Sequence, residues 1–70
     1  MGPLSQRDIV RRLRKFGWVG PVAGSKHPHM IKGDRALSIP NVHGRVLSVG
    51  FIRQLLREAG ITPVDWDAAK

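Results

Sequence analysis

The sequence predicts an α+β domain in the order α-β-β-β-α: a three-stranded antiparallel sheet with two helices on one face. Three observations predict it. A segment near each end repeats its apolar residues with the period of a helix. Between them lie three candidate strands too short for helices and separated by Gly-containing turns. Seventy residues leave room for one core only, so helices and sheet must share it. The chain therefore reads as a single domain over 1–70, with a core at 5–61 and a tail at 62–70. The second face of the sheet is left open for a ligand or partner.

The first helix covers 5–16. Ile9, Val10, Leu13 and Phe16 form one apolar stripe. Ser5 is the N-cap, with Asp8 at the third helical position. Leu4 and Ile9 fall where a hydrophobic staple would close. Arg11, Arg12, Arg14 and Lys15 crowd the last turns, where the helix dipole favours cations, and Gly17 follows as the stop.

A first strand runs over 18–22. Gly20 and Pro21 interrupt it, which predicts an edge or a bulge. Ala23-Gly24-Ser25 makes a turn into a second strand over 26–32. Lys32-Gly33-Asp34-Arg35 is a tight hairpin connection into the third strand, 35–39, which Pro40 ends. Residues 41–47 read as a loop. Ser48 caps the second helix, which runs to Ala59 with Phe51, Ile52, Leu55, Leu56 and Ala59 as its apolar stripe. Gly60 stops it, Ile61 packs back, and the tail has the makings of one more turn.

Composition excludes several classes of function. There is no Cys, so disulfide scaffolds, thiolate metal sites and Cys nucleophiles are ruled out. No apolar run approaches the roughly 18 residues of a membrane span. Basic residues interrupt the start where a secretory segment would lie, which points to a cytoplasmic protein. No phosphate-cradling Gly motif occurs, and no two carboxylates come together in the expected core. The 41% hydrophobic share argues for a folded domain. Twelve Lys and Arg stand against five Asp and Glu, a net charge of +7. A positive face of this kind attracts phosphate backbones.

The stretch that can carry chemistry is Gly24-Ser25-Lys26-His27-Pro28-His29-Met30. On a strand, His27 and His29 share one face and Pro28 and Met30 the other. If Met30 enters the core, both imidazoles lie on the open face; Ile31 argues for the reverse. Imidazole exchanges protons near neutral pH. Lys26, Lys32 and Arg35 lie nearby in sequence and would hold a phosphodiester. Two other readings compete. His43 would add a third ligand to the His-x-His pair for a metal ion, although no carboxylate completes the set. The pair would otherwise only contact RNA or fill space. Trp18 and Trp66 are either partner anchors or core residues.

Over 6–66 the chain resembles the HicA-type, or YcfA-like, mRNA interferase toxins. The matching features are Phe16-Gly17-Trp18 closing the first helix, Gly24-Ser25 leading to a His, and Leu37-Ser38-Ile39-Pro40 after the hairpin. The last is a helix ending Ile52-Arg53-Gln54-Leu55-Leu56-Arg57-Glu58-Ala59-Gly60-Ile61. The resemblance implies a double-stranded-RNA-binding-domain-like fold and the toxin of a toxin–antitoxin pair. It implies a metal-independent endoribonuclease that cuts mRNA, with no cofactor. Its partner would be a HicB-type antitoxin that covers the active His and carries its own DNA-binding domain.

Counting back from Pro40, His27 falls on the catalytic position of the family, with His29 the alternative if the register slips. Lys26 stands where a His often follows Gly-Ser in the family. In this reading His27 takes the proton of a 2′-hydroxyl, and water or Lys26 protonates the leaving oxygen. Lys26, His29, Lys32 and Arg35 bind the RNA. A different class of function, a non-catalytic RNA-binding module of the same fold, is the alternative. It is disfavoured because the second helix starts Ser48-Val49-Gly50-Phe51, with little charge to clamp a phosphate groove.

Overall fold

In the computed structural model, which describes residues 2–22, 27–40 and 46–69, each long helix opens on a serine. The chain order is β1 (Leu4–Ser5), α1 (Gln6–Lys15), β2 (Val19–Val22), β3 (His29–Lys32), β4 (Arg35–Ser38), β5 (Val46–Leu47), α2 (Val49–Ala59) and α3 (Pro63–Ala68). Ser5 Oγ accepts from the Asp8 amide at 3.2 Å, and Ser48 Oγ from the Phe51 amide at 3.2 Å. Each cap satisfies a backbone donor that the first helical turn leaves free. Gly17, at φ +90°, turns the chain out of α1 so that the Trp18 amide reaches the Leu13 carbonyl. Gly60, at φ +73°, does the same after α2, and the Ile61 amide bonds the Leu56 carbonyl at 2.9 Å. The expected extra turn in the tail is a six-residue helix, capped by Thr62 and started by Pro63.

The main sheet is antiparallel in the order β2-β3-β4. Gly33 and Asp34 join β3 to β4, and the register pairs His29 with Ser38, Met30 with Leu37, Ile31 with Ala36 and Lys32 with Arg35. The ladder of β2 against β3 shifts between Val19 and Val22, so the Gly20-Pro21 interruption is a bulge. The second strand begins at His29 rather than Lys26. Lys26, the turn at 23–25 and residues 41–45, including His43, lie outside the described residues.

One element differs from expectation. Val46 and Leu47, read as loop, form β5 and pair antiparallel with β1, Leu4 opposite Leu47 and Ser5 opposite Val46. Because β1 runs into α1 and β5 into α2, this two-residue pairing brings the starts of both helices together.

The core lies between the helices and the sheet. Ile9, Val10 and Leu13 of α1 meet Ile52, Leu55, Leu56 and Ala59 of α2, with Met30 and Leu37 from the sheet. Trp18, Ile39, Leu47 and Trp66 complete it. Among the described residues, no helix is long and apolar enough to cross a membrane.

Candidate active site on the open sheet face

Strand alternation sorts the sheet into two chemically different sides. Met30 and Leu37 are cross-strand partners, both buried, so their side faces the helices. His29, Ile31, Ala36 and Ser38 therefore occupy the open side. Val19 is paired with Ile31, and Val22 with His29, so both valines share that side. They are 66% and 41% exposed, an apolar belt with nothing over it in the isolated chain. This settles the competition in the His stretch: Met30 enters the core, and half-buried Ile31 lies outside with His29.

His27 sits at an exposed bend just before β3. The ladder nevertheless runs one residue further than the strand, because the Ile39 amide donates to the Pro28 carbonyl at 2.9 Å. Pro28 is thus opposite the fully buried Ile39 and on the helix side. His29 stands on the open side, and His27 lies two positions before it at the exposed bend where β3 begins. Among the described residues, no group of three His, Cys, Asp or Glu is placed to hold a metal ion.

The hairpin cations go elsewhere. Lys32 and Arg35 are paired two positions beyond Met30 and Leu37, hence on the helix side. Lys32 Nζ donates to the Phe16 carbonyl at 2.8 Å, its stem lying over the bare backbone of Gly17. The Arg35 guanidinium donates to the Glu58 carbonyl near the end of α2. Each cation closes the C-terminus of one helix, where carbonyls lack partners and the dipole is negative. The RNA-contacting set expected from the sequence is therefore divided: His29 is on the open side two positions after His27, Lys32 and Arg35 are on the helix side, and Lys26 lies outside the described residues.

A comparison with protein families bears on this geometry. The family of the HicA toxin of bacterial toxin–antitoxin systems matches residues 6–61, from the start of α1 to the cap of α2. The chain belongs to the HicA toxin family. It is accordingly a toxin of a toxin–antitoxin system, and an antitoxin is its partner. No match was found among curated proteins or among solved structures.

Two features of this HicA-family chain were not read from the sequence, one beside His29 and one on the helix layer. Gly20 lies in the bulge of β2, at φ +133°, where a Cβ would stand 2.8 Å from the His29 carbonyl oxygen. Only glycine allows β2 to approach the His29 backbone so closely. The Arg14 guanidinium grips the Gly20 carbonyl at 2.6 and 3.1 Å and fixes the bulge to α1. The Gly-Pro pair within a strand was the available signal.

The second feature is α3, which lies beyond the matched span. Trp66 is fully buried, stacks on Phe16 at 6.1 Å, and lies under the Arg12 guanidinium at 5.1 Å. Arg12 also donates to the Trp66 carbonyl at 3.4 Å, and Lys15 Nζ to the Ala69 carbonyl at 2.9 Å. Trp18 is buried too, so both indoles are core residues rather than partner anchors.

Proposed function

We propose that this HicA-family toxin is an endoribonuclease that cuts mRNA by internal transfer, with His27 as general base. The observation that carries the reading is the position of His27: exposed, at the head of an open face, and within one strand repeat of a second imidazole. RNA lying across that face brings a ribose to His27. The imidazole removes the 2′-hydroxyl proton, the oxygen attacks the adjacent phosphorus, and the 5′-oxygen departs. General base help of this kind is worth typically 10²–10⁴-fold. Holding the strand so that attack and departure are in line supplies the rest. Lys26 neighbours His27 in sequence and is the cation proposed to meet the phosphate. The reaction uses the chain's own residues and no metal, and its substrate places the protein in the cytoplasm.

The same face fits the partner. Val19, Val22, Ile31 and Ala36 form an apolar surface around His29. A HicB-type antitoxin seated there buries those side chains and closes RNA off from His27, so inhibition and site coincide.

The deciding experiment compares the parent with His27→Ala on labelled single-stranded RNA. The parent leaves 2′,3′-cyclic phosphate ends at an unchanged rate in EDTA. The variant keeps its fold and retards RNA equally, while cleavage falls by about 10²-fold or more. Cleavage at the parent rate would remove His27 from the mechanism. Retardation without cleavage by the parent itself would leave a non-catalytic RNA-binding module.

A further inference from the structure

We propose that His29 is the general acid of this reaction, protonating the departing 5′-oxygen while His27 takes the 2′-hydroxyl proton; the proposal rests on the nuclease reading above. Transfer to a 2′-oxygen needs two proton movements on opposite sides of one phosphorus. The attacking oxygen loses a proton and the leaving oxygen gains one. A single imidazole at the head of the strand serves the first of these.

Three observations point to His29 for the second. The Pro28–Ile39 hydrogen bond carries the pairing of β3 and β4 back to residue 28, so His29 stands on the open side and His27 follows at the exposed bend just before it. Two positions along the chain separate their Cα atoms by at most about 7 Å. That spacing lets two imidazoles straddle a phosphodiester, each within hydrogen-bond reach, about 2.6–3.2 Å, of a different oxygen. Second, His29 is half-buried between Val22 on one neighbouring strand and Ser38 on the other, which restricts the directions its ring can take. Third, the two described cations of the hairpin are turned away from this face, and Lys26 is assigned above to the phosphate. Lys32 and Arg35 lie on the helix side, bonded to the Phe16 and Glu58 carbonyls. Among the described strand residues of the open face, which otherwise carries Val19, Val22, Ile31, Ala36 and Ser38, His29 is the titratable group.

The step balances without a co-reactant. The 2′-O–H proton moves to His27 as the 2′-O–P bond forms. The P–O5′ bond breaks as the His29 imidazolium gives its proton to O5′. The products are a 2′,3′-cyclic phosphate and a 5′-hydroxyl. His27 is left protonated and His29 neutral, and exchange with water resets both.

A sulfur leaving group tests this directly, because a thiolate departs without a proton. An RNA that the parent cuts is made twice, once with the ordinary 5′-oxygen and once with a 5′-bridging sulfur at the cut linkage. His29→Ala and His29→Gln are expected to slow the oxygen substrate by about 10²-fold or more. On the sulfur substrate both variants should return to within about tenfold of the parent, roughly 1.4 kcal/mol of barrier. His27→Ala should stay slow on both, because attack still needs a base. Parent-rate cleavage of the oxygen substrate by the His29 variants overturns the proposal, and so does equal slowness on both substrates. A parent chain that leaves no cyclic phosphate on either substrate overturns the nuclease reading itself, a result distinct from the other two.

Discussion

The two sides of the three-stranded sheet come from the same eight residues of β3 and β4, yet they do opposite work. On the helix side Met30 and Leu37 enter the core, and Lys32 and Arg35 reach past them to the helix ends. Every charge there has a backbone carbonyl to meet. On the open side His29 and Ser38 stand among Val19, Val22, Ile31 and Ala36, an apolar and titratable surface that the chain leaves uncovered. The difference teaches where to look for function in so small a domain. Positive charge is the loudest feature of the composition, but much of it acts as internal fastening. Arg12, Arg14, Lys15, Lys32 and Arg35 all donate to main-chain oxygens, and Arg11 pairs with Asp8 at 3.2 Å. The quieter side is where a ligand or partner has something to gain.

The contrast can be broken most severely from the helix side. Trp66→Ala removes a fully buried indole and should cost about 3–5 kcal/mol, read as an earlier urea midpoint with unchanged slope. Arg35→Ala is a smaller version of the same experiment. It should lower stability by about 1 kcal/mol, from a lost charge-assisted bond at a helix end, and leave the salt dependence of RNA binding as it was. A flatter salt slope in that variant would return Arg35 to the RNA-contacting set. The smallest stability effect belongs to the open side. Val19→Ser should shift unfolding by less than about 0.5 kcal/mol while weakening antitoxin capture of the purified chain. If stability falls and capture holds, the valine is a core residue and the apolar belt is no interface.

Much of this architecture was legible from residues. The helices announce themselves through their stripes and their punctuation, Ser5 and Gly17 for the first, Ser48 and Gly60 for the second. The hairpin follows from Gly33. The open-side position of His29, with Met30 turned inward, follows from a period of two. The pairing of β1 with β5 was not legible, because two residues carry no alternation and the partners lie some forty positions apart in the chain. The destination of Lys32 and Arg35 was within reach: the same period of two that puts His29 on the open side puts these cations on the other. Proximity along the chain suggested a common phosphate site, and the pleat divides it. Trp66 gave no period at all, since α3 offers only one turn of pattern, and its burial depends on Phe16 and Arg12, fifty residues earlier.

Because that indole comes from beyond residue 61, the borders of the family match are a poor guide to where this protein may be trimmed. A version cut there would expose the ring of Phe16 and strip Arg12 of both its aromatic platform and its carbonyl acceptor. Recombinant work on the toxin should keep the last nine residues, and activity lost on shortening them would speak of unfolding before it spoke of chemistry.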